Sequence, residues 1–348
     1  MYKIQMNNFK MKKNKVCFYS SVKDISLFKT QKFYQIDISI LKRMGYEVIV
    51  SNNIFDAFKF WKYNFVFAYF YRYSFFFALI ALILGRRTYF TGGIDALDIE
   101  YAGRKQYIVQ KLLFILCYTI AKKCIIVSKT DLKHVEEIVG IGKSKIVFSE
   151  HSIDMTSFLC KSINKKEHIF TTIGWMGSIG NVKRKGIDKA LFLFSLLKKE
   201  PFFSDCKFVL MGREGIGTTY LREIIEKLGI SNSVIITGEI SEQRKIDLLL
   251  KSKYYFQLSS YEGFGIAALE ALIAGNIIIH SGKGGLDNPI YSKHIRVDIN
   301  KDILEQIESI KMKLSIISDI EVMKNMKECS EYYDNDRRMR DFYEIIKF

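Results

Sequence analysis

Short apolar runs alternate with stretches in which apolar residues recur every three or four positions, and this rhythm persists through both halves of the chain. Residues 15–20, 47–51, 65–71, 87–91, 124–128 and 146–149 read as strands; several are apolar throughout, the pattern of strands covered on both faces. Between them, residues 32–44, 74–84, 106–121 and 131–139 read as helices, with Gly45 and Gly85 placed to end two of them. A charged stretch at 161–167 reads as a linker, after which the pattern restarts. Strands are expected at 170–175, 207–211, 233–237, 254–258 and 276–280, and helices at 187–198, 220–228, 246–251 and 265–274. Residues 301–348 are mainly helical, ending in a helix over 339–348. Strands and helices alternating at this spacing predict an α/β fold: two doubly wound, Rossmann-like domains facing a central cleft. Ligands in such sheets sit at the carboxyl ends of the strands, so the loops facing the cleft carry the chemistry.

A chain of 348 residues is the right size for two such domains, and 49% hydrophobic with 26% charged residues excludes a disordered chain. The six cysteines (Cys17, Cys117, Cys124, Cys160, Cys206, Cys329) show no C-x-x-C spacing, which argues against a zinc ribbon or a disulfide framework and for a cytoplasmic setting. Residues 1–15 are polar and basic and do not read as a signal peptide. The apolar run 73–84, flanked by Arg72 and by Arg86 and Arg87, falls short of the ~20 residues a membrane span needs, so no transmembrane helix is expected. Charge is uneven: residues 1–160 hold 24 Lys and Arg against 12 Asp and Glu, residues 161–348 hold 29 against 25, and the net is +16. A basic, aromatic first half fits an anionic partner such as the inner face of a membrane; AT-rich coding alone would also favour these residues. No nucleic-acid-binding motif accompanies it, so nucleic acid is not expected.

The densest chemical signal is Ser259-Ser260-Tyr261-Glu262-Gly263-Phe264-Gly265-Ile266-Ala267-Ala268-Leu269-Glu270-Ala271, which follows an apolar strand and opens a helix. Gly263 and Gly265 let the backbone approach a ligand, and free N–H groups at a helix start favour an anion. Two carboxylates there would repel a phosphate, so Glu262 and Glu270 point to neutral donors such as sugar hydroxyls, and both can border one pocket. Further back, Lys183-Arg184-Lys185 is expected to open the helix that begins near Ile187 and to pair with a diphosphate as leaving-group charge develops.

This string resembles the E-x7-E signature of family 4 glycosyltransferases, which have the GT-B fold. The resemblance implies that Glu262 contacts the donor sugar's hydroxyls and that Glu270 binds the nucleotide's ribose. The backbone of Gly263, Phe264, Gly265 and Ile266 would hold sugar or phosphate. Gly177-Ser178 and Arg184-Lys185-Gly186 are similar to the family's G-R…R/K-K-G element, with Ser178 where the family has Arg and Lys183 as its replacement. The loop at Gly212 resembles the family's strand-then-G-x-G turn, and Gly238-Glu239-Ile240 the loop that meets the base. Val127-Ser128-Lys129 and Ser152-Ile153-Asp154 match the first half's elements more loosely, and Gly92-Gly93-Ile94-Asp95 stands where many members carry His-Gly. Gly93 and Asp95 are therefore the acceptor-side candidates; a turn-forming Asp is the alternative at 95.

By resemblance the expected domains are 1–160 (acceptor), 161–330 (donor) and 331–348, a last helix crossing back to the first. The implied activity is transfer of a hexose from a UDP- or GDP-linked donor to a glycan or lipid-linked acceptor, retaining configuration, in surface polysaccharide (lipopolysaccharide or capsule) assembly. Catalysis would fall to Glu262, Lys185 and Arg184. The donor would be held by Glu270, Gly263, Phe264, Gly265, Ile266, Ser178, Gly212, Gly238 and Ile240. No cofactor and no metal are expected, since no His lies at metal-ligand spacing from a Cys, His or carboxylate. The protein would be cytoplasmic, touching the inner membrane face peripherally. Two rivals stand beside this reading: a nucleotide-sugar epimerase on the same fold, and a non-catalytic membrane-associated protein with a vestigial donor site.

Overall fold

The computed structural model describes residues 14–159 and 166–346. Most of the expected linker at 161–167, and nearly all of the basic segment 1–15, lies outside the described residues. Two six-stranded, wholly parallel sheets form. In the first, β1 (Lys15–Ser20), β2 (Glu47–Ser51), β3 (Phe65–Tyr69), β4 (Arg87–Thr91), β5 (Lys123–Ile126) and β6 (Ile146–Phe148) run in the order β2-β1-β3-β4-β5-β6. In the second, β7 (Glu167–Ile173), β8 (Lys207–Met211), β9 (Val234–Ile236), β10 (Ser252–Gln257), β11 (Ile277–His280) and β12 (Ile295–Arg296) run β12-β11-β10-β7-β8-β9. Central strand β3 is buried at every position because helices cover both faces, which is why it is apolar without alternation. The fold class is the doubly wound α/β architecture expected, one sheet per half of the chain.

Helix boundaries depart from the sequence pattern where backbone geometry intervenes. The helix expected from Gln106 begins at Ile99, capped by Asp98, and breaks its regular geometry at Gly103 (φ +74°). The three cations expected to open a helix instead end one: Lys183, Arg184 and Lys185 form the last turn of the helix Ile179–Lys185. Gly186 then turns left-handed (φ +63°), and Ile187–Leu197 starts afresh. Cations at a helix C-terminus also suit its dipole.

The last helix, Asn335–Ile345, lies on the first half of the chain, where Phe342 packs against Phe67 at 5.3 Å between ring centres. Its Arg338 is buried and forms a two-pronged ion pair with Asp37, at 2.6 and 2.8 Å. Where the chain passes between the halves, Ile153 pairs with Asp334 as an isolated parallel bridge, so the outgoing and returning segments meet there.

Candidate active site

The carboxyl ends of both sheets enclose a cavity of about 410 Å³. The first half contributes Phe33, Tyr69, Phe70, Gly92, Gly93, Asp95, Val127 and His151; the second contributes Arg184, Lys185, Gln257 and residues 262–267. On the second sheet this is the switch point between β7 and β10, where strand order reverses and a crevice opens.

Glu262 is the centre of the polar side. Its Oε1 accepts hydrogen bonds from Lys185 Nζ (2.5 Å), Ser259 Oγ (2.6 Å) and Gln257 Nε2 (2.8 Å). Burial pushes this carboxyl up, but the Lys185 charge, the hydrogen bonds from Lys185 and Ser259, and Arg184 outweigh it and hold it below its ordinary value. The side chain is thus a fixed anion with one oxygen saturated. Gly265 (φ +87°) then starts the helix Ile266–Ile273 with no side chain capping it, so the N-terminal amides remain free beside the cavity. Arg184 and Lys185 border the same space. A carboxylate for hydroxyls, two cations and a helix N-terminus for a phosphate therefore meet on one wall.

Gly93 brings the opposite wall into contact. A Cβ there would lie 3.1 Å from the Gly263 Cα, so the two loops touch backbone to backbone. Phe70 beside them holds a left-handed conformation (φ +67°) rare for a residue with a side chain. Asp95 opens the 3-10 turn Asp95–Leu97 at the rim, its side chain exposed.

Other expected residues lie elsewhere. Glu270 does not border this cavity with Glu262: it sits on the second turn of its helix, buried, and faces a separate narrow crevice. There Lys245 Nζ donates to its Oε2 at 2.6 Å and meets Glu242 at 3.0 Å. Burial works against the Lys245 ammonium, yet the two carboxylates raise its pKa above the ordinary value. Lys183 turns away from the cavity and lies over the Tyr220 ring, so two cations rather than three reach it. Ser178 is the N-cap of Ile179–Lys185, accepting from Asn181 N at 3.1 Å. Gly212 (φ +141°) packs its Cα against the Gly174 carbonyl, where a Cβ would come within 2.1 Å. The Gly238 carbonyl oxygen accepts from Gly212 N, and Ile240 packs half-buried on the core beneath. None of these four lines the cavity.

Two residues that the sequence pattern did not single out are prominent. His151, buried at the cavity wall, packs parallel to Tyr69 and edge-on to Phe264, with Nδ1 unpartnered in the protein. Burial, then Arg338, pushes its pKa down to about 3, so the ring is neutral and free to share a hydrogen bond with a ligand. Asp131 is fully buried and joins the two halves: Oδ2 accepts from Ile94 N (3.0 Å) and Oδ1 from Tyr261 Oη (2.7 Å). Burial lifts its pKa to about 7 despite these donors. Nearby, Tyr101 stacks on Tyr261 at 5.2 Å, and Thr130 Oγ1 donates to the Gly284 carbonyl at 2.8 Å. Adjacency to the Ser152-Ile153-Asp154 string was the only sequence signal for His151; Asp131 had none beyond lying in the first turn of a helix.

Residues 160–313 match the family model described as Glycosyl transferases group 1. Among curated proteins, the chain is 24% identical over 221 residues to a putative glycosyltransferase 48 of Sulfolobus islandicus filamentous virus, covering 57% of this chain and 63% of that one. It is 26% identical over 161 residues to the GDP-mannose:cellobiosyl-diphosphopolyprenol alpha-mannosyltransferase of Xanthomonas oryzae, covering 46% and 40%. The chain thus spans less than two thirds of these relatives' lengths. Among solved structures, Anabaena Alr3699/HepE in complex with UDP and glucose superposes with a TM-score of 0.72 at 14% identity, over 95% of this chain and 98% of that one. WaaG, a glycosyltransferase involved in lipopolysaccharide biosynthesis, superposes with a TM-score of 0.66 at 12% identity, over 96% and 100%. The shared fold is GT-B, and the family model and both curated relatives carry the names of glycosyl transferases.

Proposed function

We propose, from a glycosyltransferase-type domain set against a second Rossmann-like domain, that this chain moves a hexosyl group from a nucleoside diphosphate sugar, UDP- or GDP-linked, to a glycan or lipid-linked acceptor. The observation that carries the reading is the shared wall: Glu262, Arg184, Lys185 and the uncapped start of Ile266–Ile273 border one cavity. In this reading the free amides and the two cations stabilise the diphosphate as its bond to the sugar breaks, the part a divalent cation would otherwise play. Glu262, pinned through Oε1, offers Oε2 to the sugar hydroxyls. The acceptor enters past Gly93 and Asp95 and attacks from the face the leaving group vacates, which retains configuration. For Glu270 to take the ribose, as the resemblance implies, the nucleotide must extend from the cavity into the separate crevice where Lys245 fixes its side chain. A role in surface polysaccharide assembly is in keeping with a relative named for a diphosphopolyprenol-linked acceptor and with WaaG's part in lipopolysaccharide biosynthesis; the inner membrane face is our reading of where such an acceptor would be met.

The test is thermal stabilisation by UDP, GDP, ADP and CMP and by their common sugar conjugates. A ligand at ~100 times its dissociation constant adds ~2.7 kcal/mol, about 2 °C or more in a chain of this size. One nucleoside diphosphate should shift the melting temperature, and Glu270→Ala should remove that shift. Glu262→Gln should keep nucleotide binding and lose turnover. Folded protein that no nucleotide stabilises would refute the reading.

A further inference from the structure

The two walls of the cavity differ in chemistry. Glu262, Arg184 and Lys185 make one of them charged. On the other, apart from Asp95 at the rim, the side chains from the first half are those of Phe33, Tyr69, Phe70, Val127 and His151. The Tyr69 hydroxyl is bonded to the Asp37 carboxylate and to the Phe33 carbonyl (3.1 Å), so only its ring is left to face the cavity. The Phe33 ring centre lies 5.5 Å from that of Tyr69, 6.1 Å from Phe70 and 6.2 Å from His151, and Phe264 of the second half closes the group at 5.3 Å from His151. A ligand seated here meets a continuous aromatic surface on one side and fixed charges on the other.

Two features mark the aromatic side as made for a ligand and not as core that happens to reach the cavity. Phe70 keeps its left-handed backbone at a cost, which persists only where the surroundings impose it. Its N–H donates to the Thr91 carbonyl at 2.8 Å, and Gly92 leaves room for its ring, since a Cβ there would lie 3.1 Å from Phe70 Cδ1. His151 is 4% exposed and its Nδ1 has no partner in the protein, an arrangement that costs stability unless a ligand supplies the missing bond. Burial keeps the ring neutral, so it offers one donor and one acceptor.

A hexose can turn several kinds of group towards such a wall, and their chemistry sorts them. A row of hydroxyls would give up water against rings that return no hydrogen bond, with His151 left to serve them all. A carboxylate would lie against the negative faces of the rings while the cations stand on the other wall. A lone methyl, as in a deoxysugar, suits the rings and leaves His151 without a partner. An acetamido group meets both demands: its methyl lies on the rings, and its carbonyl or N–H pairs with the imidazole. We propose that the aromatic wall with His151 is a specificity subsite and that the sugar transferred is an acetamido hexose. This rests on the function proposed above and narrows its donor to a nucleoside diphosphate N-acetylhexosamine.

The experiment is calorimetric titration of the full chain with UDP, UDP-N-acetylglucosamine, UDP-N-acetylgalactosamine, UDP-glucose, UDP-galactose, GDP and GDP-mannose. One acetamido conjugate should bind about tenfold tighter, or more, than the plain hexose of the same configuration, the worth of one buried methyl and one hydrogen bond. His151→Leu should bring that ratio to within about threefold, and Phe70→Ala should weaken the acetamido conjugate about fivefold. The affinity of each variant for UDP alone reports whether its fold and nucleotide site are intact, and the wild-type comparison needs no variant at all. A plain-hexose conjugate, GDP-mannose included, that binds as tightly as either acetamido conjugate would overturn the proposal. So would an acetamido preference that survives undiminished in His151→Leu. Binding of a nucleoside diphosphate without the acetamido preference would sink this inference and leave the glycosyl transfer reading standing; folded protein that binds none of the seven would sink both.

Discussion

Asp131 shows how a single carboxylate can set the pH behaviour of the molecule. Its pKa of about 7 against an ordinary 3.8 means that the folded chain prefers it protonated. Its burial is therefore least costly below about pH 4, and stability is lost as pH rises from there to about 7, by up to ~4 kcal/mol. His151 runs the other way: with a folded pKa of about 3 against 6.5, it supports the fold above pH 6.5 and withdraws that support as pH falls towards 3. Urea titrations should show Asp131→Asn gaining on wild type by a few kcal/mol between about pH 5 and pH 8; a constant difference would contradict the shift. Tyr261→Phe, which removes one donor from the buried carboxylate, should cost ~1–3 kcal/mol in the same assay. Glu262 was legible in the sequence because its glycines, its strand and its helix are contiguous. Asp131 and His151 were not, because what gives them meaning is distant: Tyr261 lies 130 positions from Asp131.

At the scale of elements, the order of the main strands and helices followed from periodicity, while the helix Ile179–Lys185 and strand β12 were not read and several boundaries shifted. The junction at Gly186 is the instructive one. Left-handed backbone there lets the chain turn between two helices while Arg184 O accepts from Ser260 N at 2.8 Å, tying the cationic turn to the loop that carries Glu262. A Cβ at Gly186 would come within 2.0 Å of the Leu258 carbonyl oxygen. Gly186→Ala should therefore cost roughly 3 kcal/mol in denaturant melts and weaken nucleotide binding with it. The expectation that these cations open a helix fails at Gly186, which ends one helix and starts another, and the close approach to the Leu258 carbonyl that requires a glycine there is invisible in the local sequence.

At the scale of the whole molecule, two sheets and a cleft were legible, since each half repeats the same β/α rhythm. The bond that fixes the last helix was not. Asp37 lies in Ile36-Asp37-Ile38, and Arg338 in a run of cations that reads as solvated. Burial pushes the Asp37 carboxyl up, but the Arg338 charge and hydrogen bonds bring it below its ordinary value. Arg338→Met should cost ~3–5 kcal/mol, because it strands a buried charge, while Asp37→Asn with Arg338→Met together should cost less than the two separately; calorimetry of the four proteins tests this. The same pair also sets an order of events. A ribosome makes Asp37 early and its counter-charge 301 residues later, so the first sheet, though its strands are all translated by Phe148, waits for the end of the message before its interior is neutral. Premature termination anywhere before Arg338 would remove the charge partner together with the helix that covers it, leaving Asp37 and the apolar cluster beneath Phe342 and Ile345 open to water, a substrate for chaperones and proteases rather than a free-standing domain.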